Sequence, residues 1–170
     1  GPMSSAEFHH RLGQDLLQRF PGCEEHSVVA CAAAADVPVY TSSPGDSSIG
    51  MNIASNALLE GSSFTIDPNR DVNEVCAIIL SGHQNGCVIL GGGSPKNFYL
   101  QGQPTLWEVY GIPKGGNDYF IQITTDQVVW GGLSGATPAE AVSWGKVNPG
   151  VLSDTVVAYC DSTVAFPLFS

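Results

Sequence analysis

The sequence contains few basic residues: 6 Lys and Arg stand against 16 Asp and Glu, which gives a formal net charge of -10. A surface of this sign repels phosphate backbones and anionic lipids and attracts cations, polyamines among them. The chain also lacks any apolar run near the roughly 18 residues that a membrane-spanning helix needs. We therefore expect a soluble protein without a nucleic-acid or membrane partner.

The sequence has no CxxC pair, and its cysteines are odd in number: Cys23, Cys31, Cys76, Cys87 and Cys160. Neither a disulfide framework nor a zinc site is favoured by this spacing, so reduced thiols in a cytoplasmic protein are expected. Gly1-Pro2 before Met3 is typical of a protease-cleavage remnant, and no basic and apolar export signal follows it. Residues 3–170 are expected to form a single domain.

Helical and strand patterns alternate along the chain. Helical spacing begins at Phe8 behind Ser4-Ser5, and further helices are expected over residues 24–35, 54–59 and 72–81, around FYLQ to WEVY, and in TPAEAVSW. Strands are expected at VPVYTS, SFTI, CVILGGG, YFIQITT and TVVAYC. Apolar strands separated by helices indicate an α/β fold, a Rossmann-like parallel sheet with helices on both faces.

Polar and glycine residues follow the expected strands, where parallel sheets bind ligands. Gly91-Gly92-Gly93 after CVIL permits close approach of the backbone to a pyrophosphate, although GGGS alone is also typical of a tight turn. Asp46 and Asp161 are candidates for ribose hydroxyls and equally for helix caps. The residues alone leave both alternatives open.

The remaining candidates are histidines and a lysine. His9, His10, His26 and His83 have no metal-site or triad spacing, so solvated surface residues and no metal are expected. Lys146 follows the indole of Trp144 by two residues, which favours a desolvated, neutral amine able to form a Schiff base. A solvated lysine beyond a helix end remains the alternative.

Several segments in order, ILGGG, GATPAEAVSWGK and YCDSTVAFPL, resemble the signature segments of deoxyhypusine synthase. The segments VPVYTSSPGDSSIGMNI, GGGSPKNFYLQ, DYFIQIT and GGLSGATP are most similar to the bacterial deoxyhypusine synthase-like branch. The resemblance implies a cytoplasmic, tetrameric, NAD-dependent transferase that carries the aminobutyl group of spermidine on a lysine as an imine, on the way to hypusine in a translation-factor precursor. It extends from about Ala6 to Phe169 and corresponds to the carboxyl-terminal half of such proteins.

The resemblance also implies roles for individual residues. Lys146 takes the position of the catalytic lysine, and Glu140, Trp144 and Asn97 take positions in the substrate pocket. For NAD, the pattern falls on Asp46, Gly91, Gly92, Gly93, Thr125, Ser134, Asp161 and Ser162.

Two departures from the family pattern open alternatives. Met51, Asn97, Leu133 and Trp130 stand where the eukaryotic enzymes place acids and a histidine. The chain is therefore either an enzyme with another polyamine or acceptor, such as a diamine, or a non-catalytic regulatory subunit of an active synthase. Its length is about half that of family members, so we expect a second chain to supply the amino-terminal half in a homo- or hetero-tetramer.

Overall fold

The computed structural model describes residues 1–169. The chain divides into two compact units, Gly1–Asn73 and the part that begins at Glu74, and each is described by itself. Within the described residues, none of the helices combines the length and the apolar character needed to cross a membrane.

The first unit is helical. It contains α1 (Ser5–Arg19), α2 (Val28–Ala34), α3 (Ser48–Glu60) and the start of α4 (Pro68–Ser81). Ser4 caps α1 as predicted, with its side chain accepting a hydrogen bond from the Glu7 amide. The buried Asp71 carboxylate accepts the Ser5 and Ala6 amides, at 3.1 and 3.2 Å, which favours the N-terminal end of α1 through its dipole.

Three predictions for the first unit are wrong in detail. VPVYTS, residues 37–42, forms no strand, and SFTI contributes only an isolated bridge between Ile66 and Met3. A strand needs a hydrogen-bonded neighbour, and the described residues 1–73 offer no sheet to join. The helix expected over residues 24–35 is split into a 3₁₀ turn, Cys23–Glu25, and α2, because Ser27 caps a new helix.

His9 is not a solvated surface residue. It is 8 % exposed, and its Nδ1 lies 2.7 Å from the carbonyl oxygen of Ser5. Its Nε2 lies 3.5 Å from the hydroxyl of Thr41. His9 thus satisfies polar groups inside the first unit, whereas His26 and His83 are exposed.

The second unit is built on a three-stranded parallel sheet in the order β1-β2-β3. The strands are β1 (Gly86–Leu90), β2 (Tyr119–Thr124) and β3 (Thr155–Tyr159), with Val88 opposite Ile121 and Ile121 opposite Val156. The flanking helices are α5 (Gly93–Leu100), α6 (Gly102–Pro104), which continues into a π-helical turn (Thr105–Val109), α7 (Pro138–Ser143) and α8 (Ser162–Phe169). The predicted α/β fold with a parallel sheet is confirmed.

The core of this unit joins the sheet to the helices that bear the site. Phe120 is fully buried on β2 and clusters with Ile89 of β1, Leu100 of α5, Ala141 of α7, and Val147. Burial of this apolar surface holds α5 and α7 against the same sheet. Because the three strands are parallel, their carboxyl ends lie at the same end of the sheet.

Both outer strands of this sheet are incompletely covered. In the described part of the chain β1 pairs with β2 alone, and its side chains Val88 and Leu90 are 51 % and 47 % exposed. On β3, Val156 and Tyr159 are also exposed. A cavity of about 380 Å³ lies along β1, lined by residues of that strand together with Gly92, Lys96 and Tyr99. Such an edge is able to receive further chain.

Candidate functional site

The glycine triplet after β1 forms a turn that no other residue type would adopt easily. Gly91, Gly92 and Gly93 have φ values of 78°, 156° and 70°. A Cβ added to Gly92 would lie 2.7 Å from the Cα of Ser134, so the absence of a side chain brings these two segments into contact. Helix α5 starts at Gly93, and its N-cap, Gly92, has no side chain to bind the first amides. The arrangement offers backbone amides to an anion.

A buried lysine, which the sequence analysis did not select, fastens this turn to the neighbouring loop. Lys96 is 6 % exposed, and its Nζ donates to Gln122 Oε1 (3.0 Å), the Ala136 carbonyl (2.7 Å) and the Ser134 carbonyl (3.4 Å). Gln122 in turn donates from Nε2 to the carbonyls of Gly91 and Ser134, both at 2.7 Å. Three acceptors match the three donors of an ammonium group.

Charges around Lys96 act on its pKa in both directions. Burial lowers the pKa of Lys96, Cys87 and Glu140 raise it, and Lys146 lowers it. Desolvation raises the pKa of the partly buried Cys87 thiol to about 12, which keeps this cysteine protonated and unreactive at neutral pH. Because Lys96 is buried and its three donors are engaged, it is a fixed structural amine rather than an exposed nucleophile.

The backbone of Lys146 is held on both sides. Thr137 caps α7, Pro138 begins it, and the helix ends at Ser143. The Lys146 amide then donates to the Ala141 carbonyl at 3.0 Å, while the Lys146 carbonyl accepts both the Asn117 amide and Asn117 Nδ2 at 3.0 Å. Asn117 is fully buried. These bonds fix the backbone from which the Lys146 side chain extends.

The side chain of Lys146 ends between an amide and an indole. Its Nζ donates to Oδ1 of Asn97 at 2.7 Å and lies 5.7 Å from the ring centroid of Trp144. Burial lowers the pKa of Lys146, and Glu140 opposes this by raising it. The predicted juxtaposition of Lys146 with Trp144 is present, and Asn97 is the direct partner of the amine. At a given pH, a larger fraction of the Lys146 amine is therefore neutral and nucleophilic than for a lysine in water.

These groups line one cavity of about 500 Å³. Glu108 and Glu140 are the two carboxylates in its lining, and Trp107 and Trp144 contribute the two indoles. Lys146 also lines it. Carboxylates and indole faces both attract cations, and the indoles provide apolar surface as well. The chemistry fits an amine that carries a methylene chain.

The predicted cofactor residues of the second unit follow the strand ends. Gly91, Gly92, Gly93 and Ser134 lie together at β1, Thr125 follows β2, and Asp161 and Ser162 follow β3. Asp161 is exposed, and its Oδ1 accepts the Thr163 amide (2.9 Å) and hydroxyl (2.7 Å), which lower the pKa of its carboxyl. Asp161 therefore has a capping role at α8.

The remaining predicted or discussed positions lie in other parts of the chain or differ in whether they line the cavity. Asp46 and Met51 lie in the first unit, at the 3₁₀ turn Pro44–Asp46 and in α3. Trp130 is 65 % exposed in the 3₁₀ turn Val128–Trp130 and does not line the cavity, whereas Leu133 does. In the described part of the chain, no three His, Cys, Asp or Glu side chains are grouped as a metal site.

Sequence reasoning missed four residues of the site: Lys96, Gln122, Trp107 and Glu108. Lys96 stands in the segment GGGSPKN, and its position one residue before Asn97 was the available signal. Trp107 and Glu108 fall in TLWEV, where nothing in the spacing indicates a π-helical turn. Only the folded arrangement brings them to Lys146.

Comparison with known proteins places this chain in a family. The model of the deoxyhypusine synthase family matches residues 2–170. A deoxyhypusine synthase-like protein of Nostoc punctiforme is 53 % identical over 98 % of this chain and 44 % of its own length. Probable deoxyhypusine synthase 2 of Methanosarcina acetivorans is 41 % identical, over 97 % of this chain and 46 % of its own. The chain thus spans about half the length of these relatives.

Proposed function

Because this chain belongs to the deoxyhypusine synthase family, we propose that it carries the catalytic lysine of an NAD-dependent aminobutyltransferase. The substrate is spermidine or a related polyamine, and the acceptor is a lysine of a translation-factor precursor or a diamine. The activity belongs to the complete cytoplasmic assembly and requires the amino-terminal half that this chain does not contain.

The observation that carries the proposal is the environment of Lys146. Its amine contacts Asn97 Oδ1 at 2.7 Å and the indole of Trp144, and it lines the cavity with Glu108 and Glu140. The lowered pKa of Lys146 increases the fraction of free amine near neutral pH. A non-catalytic regulatory subunit has no need of such an amine, so the site favours the enzyme.

The reaction conserves electrons over one cycle. Removal of a hydride and a proton converts a secondary amine of the polyamine into an imine. The Lys146 nitrogen adds to the imine carbon and releases the other amine, which leaves the aminobutyl group as an imine on Lys146. An acceptor amine then displaces Lys146, and return of the hydride reduces the new imine to a stable amine. Lys146 must lose a proton before each attack and regains one on departure.

The residues at the strand ends fit the dinucleotide. NAD bound by these residues would supply the hydride-transfer chemistry of the reaction. Gly91, Gly92 and Gly93 present an uncapped helix start that suits a pyrophosphate, and Ser134 is packed against Gly92. Thr125, Asp161 and Ser162 are proposed to contact the remaining parts, and Asp46 of the first unit is proposed as a further ligand.

The exposed strand β1 supports the need for a second half. Its hydrogen-bonding edge and its side chains Val88 and Leu90 are open in the described chain. A parallel sheet is normally covered on both faces and extended at such an edge. We therefore place the amino-terminal half of the family fold, supplied by a second chain, beside β1, within a homo- or hetero-tetramer. Native mass spectrometry that finds a stable assembly of this chain alone would contradict this placement.

The proposal is tested by trapping the lysine imine. The complete assembly is incubated with NAD and spermidine, then with borohydride, and intact masses are measured. An aminobutyl adduct on wild type, lost in Lys146→Arg with unchanged NAD affinity, is expected, since arginine keeps the charge but forms no imine. If wild type binds NAD and no polyamine gives an adduct, the chain is not the catalytic subunit.

The two acceptors are separated by a second measurement. Assemblies loaded with the aminobutyl group are offered either a diamine or a protein containing the acceptor lysine, and the products are identified by mass spectrometry. Transfer to the small amine alone indicates homospermidine-type synthesis, whereas transfer to the protein alone indicates deoxyhypusine formation.

A further inference from the structure

The cavity at Lys146 contains an acid that the family resemblance did not assign. Glu108 lines it together with Glu140, and these are the two carboxylates in the lining. Asn97 and Leu133 line the same cavity with an amide and an apolar group, so neither adds a negative charge. Glu140 alone therefore balances only one positive charge of a polyamine.

Glu108 is presented by a turn that is fixed at the site. It lies in the π-helical turn Thr105–Val109, which Leu106 anchors with 1 % of its surface exposed. The neighbouring Trp107 places its Nε1 over Gly145, 2.7 Å from where a Cβ would lie. Gly145 directly precedes Lys146, so the turn that bears Glu108 contacts the segment that bears the lysine. π-Helical turns occur frequently at functional sites.

We propose that Glu108 is a specificity-determining residue, which binds an ammonium group of the polyamine remote from the carbon that reacts with Lys146. The cavity then selects amines with two or more positive charges. This inference rests on the proposed function and names the feature of the substrate that the site reads.

The physical argument is one of matched charges and apolar spacing. Each carboxylate forms a charge-assisted hydrogen bond with one ammonium group. The indoles of Trp107 and Trp144 line the same cavity and offer apolar faces to the methylene chain between two ammonium groups. A monoamine has a single ammonium group, so it has no charged group left for Glu108 once that ammonium lies near Glu140.

The test measures binding of spermidine and n-butylamine to the complete assembly by calorimetry, with wild type, Glu108→Gln and Glu74→Gln. Glu74 is an exposed acid of α4 outside the cavity lining, so its variant removes the same charge elsewhere. For Glu108→Gln, we expect the Kd of spermidine to rise at least tenfold, about 1.4 kcal/mol. The Kd of butylamine should change less than twofold, and Glu74→Gln should leave both unchanged.

Three outcomes overturn the inference: unchanged spermidine binding in Glu108→Gln, equal weakening of butylamine, or no preference of wild type for spermidine over butylamine. The borohydride adduct of wild type is recorded separately and reports on the proposed function. If wild type forms the adduct but Glu108→Gln binds spermidine as tightly as wild type, the inference about Glu108 is wrong and the proposed function stands. If Glu108→Gln weakens spermidine binding but wild type forms no adduct, aminobutyl transfer is wrong and the binding role of Glu108 stands.

Discussion

Two features of the structure require glycine at position 145, directly before Lys146: its backbone conformation and its contact with Trp107. Gly145 has φ +67°, a left-handed conformation that side chains other than glycine adopt at a cost. A Cβ there would also lie 2.7 Å from Nε1 of Trp107. Gly145→Ala therefore strains the backbone and pushes against the indole at the same time.

The magnitude follows from these two costs. The left-handed conformation costs an alanine about 1 to 2 kcal/mol. Forcing an extra methyl group into a packed contact costs about 1 to 3 kcal/mol more. We expect Gly145→Ala to destabilise the protein by about 2 to 5 kcal/mol. Gly111→Ala is the matched control, because Gly111 has φ +69° but no atom within 4 Å of an added Cβ.

The assay is urea unfolding of the complete assembly, compared at one protein concentration. Gly111→Ala should show the backbone cost alone, and Gly145→Ala should be clearly less stable. In a Trp107→Ala background, Gly145→Ala should fall to the cost of the control, because the opposing ring is gone. Equal destabilisation by the two glycine variants, or no rescue by Trp107→Ala, would refute the contact between the π-helical turn and the lysine segment.

The remaining predictions concern charge at the site. Asn97→Asp should raise the pKa of Lys146 and shift the pH profile of adduct formation to higher pH, because the attacking amine must be neutral. In Asn97→Leu, which adds no charge, the midpoint of this pH profile should be no higher than in wild type. Asp161→Ala should weaken NAD binding measured by calorimetry, with Asp154→Ala as a control, and equal affinities would remove Asp161 from the cofactor site. Lys96→Met should destabilise the protein by about 1 to 3 kcal/mol, since the acceptors Gln122 Oε1 and Ala136 O lose their donor. An unchanged urea midpoint would contradict the stabilising role of the Lys96 hydrogen bonds.

The second unit was predictable from sequence because short apolar runs alternate with helical segments along the chain. CVIL, YFIQIT and TVVAY are apolar and β-branched, and all three are strands of the parallel sheet. VPVYTS has the same composition and is not a strand. Its composition gives the tendency to extend, but the hydrogen-bonded neighbour that makes a strand is a property of the tertiary structure.

The candidate site was predictable only where residues adjacent in sequence are also adjacent in space. Trp144 and Lys146 lie on one turn after α7, and their contact follows from that turn. Asn97 lies 49 positions earlier and meets Lys146 because α5 and α7 pack on one core. Burial of Lys96 and placement of Glu108 likewise depend on packing; for Lys96 the position next to Asn97 was a signal, whereas nothing in TLWEV marks Glu108.

Locating the trapped adduct tests the central claim most directly, because two lysines, Lys96 and Lys146, line the same cavity. The complete assembly is treated with NAD, spermidine and borohydride, digested, and the modified peptide is fragmented in the mass spectrometer. We expect the aminobutyl group on the nitrogen of Lys146, because Lys96 is buried with all three donors engaged. An adduct on Lys96, or on neither lysine while NAD is bound, would contradict the assignment of Lys146 as the covalent carrier.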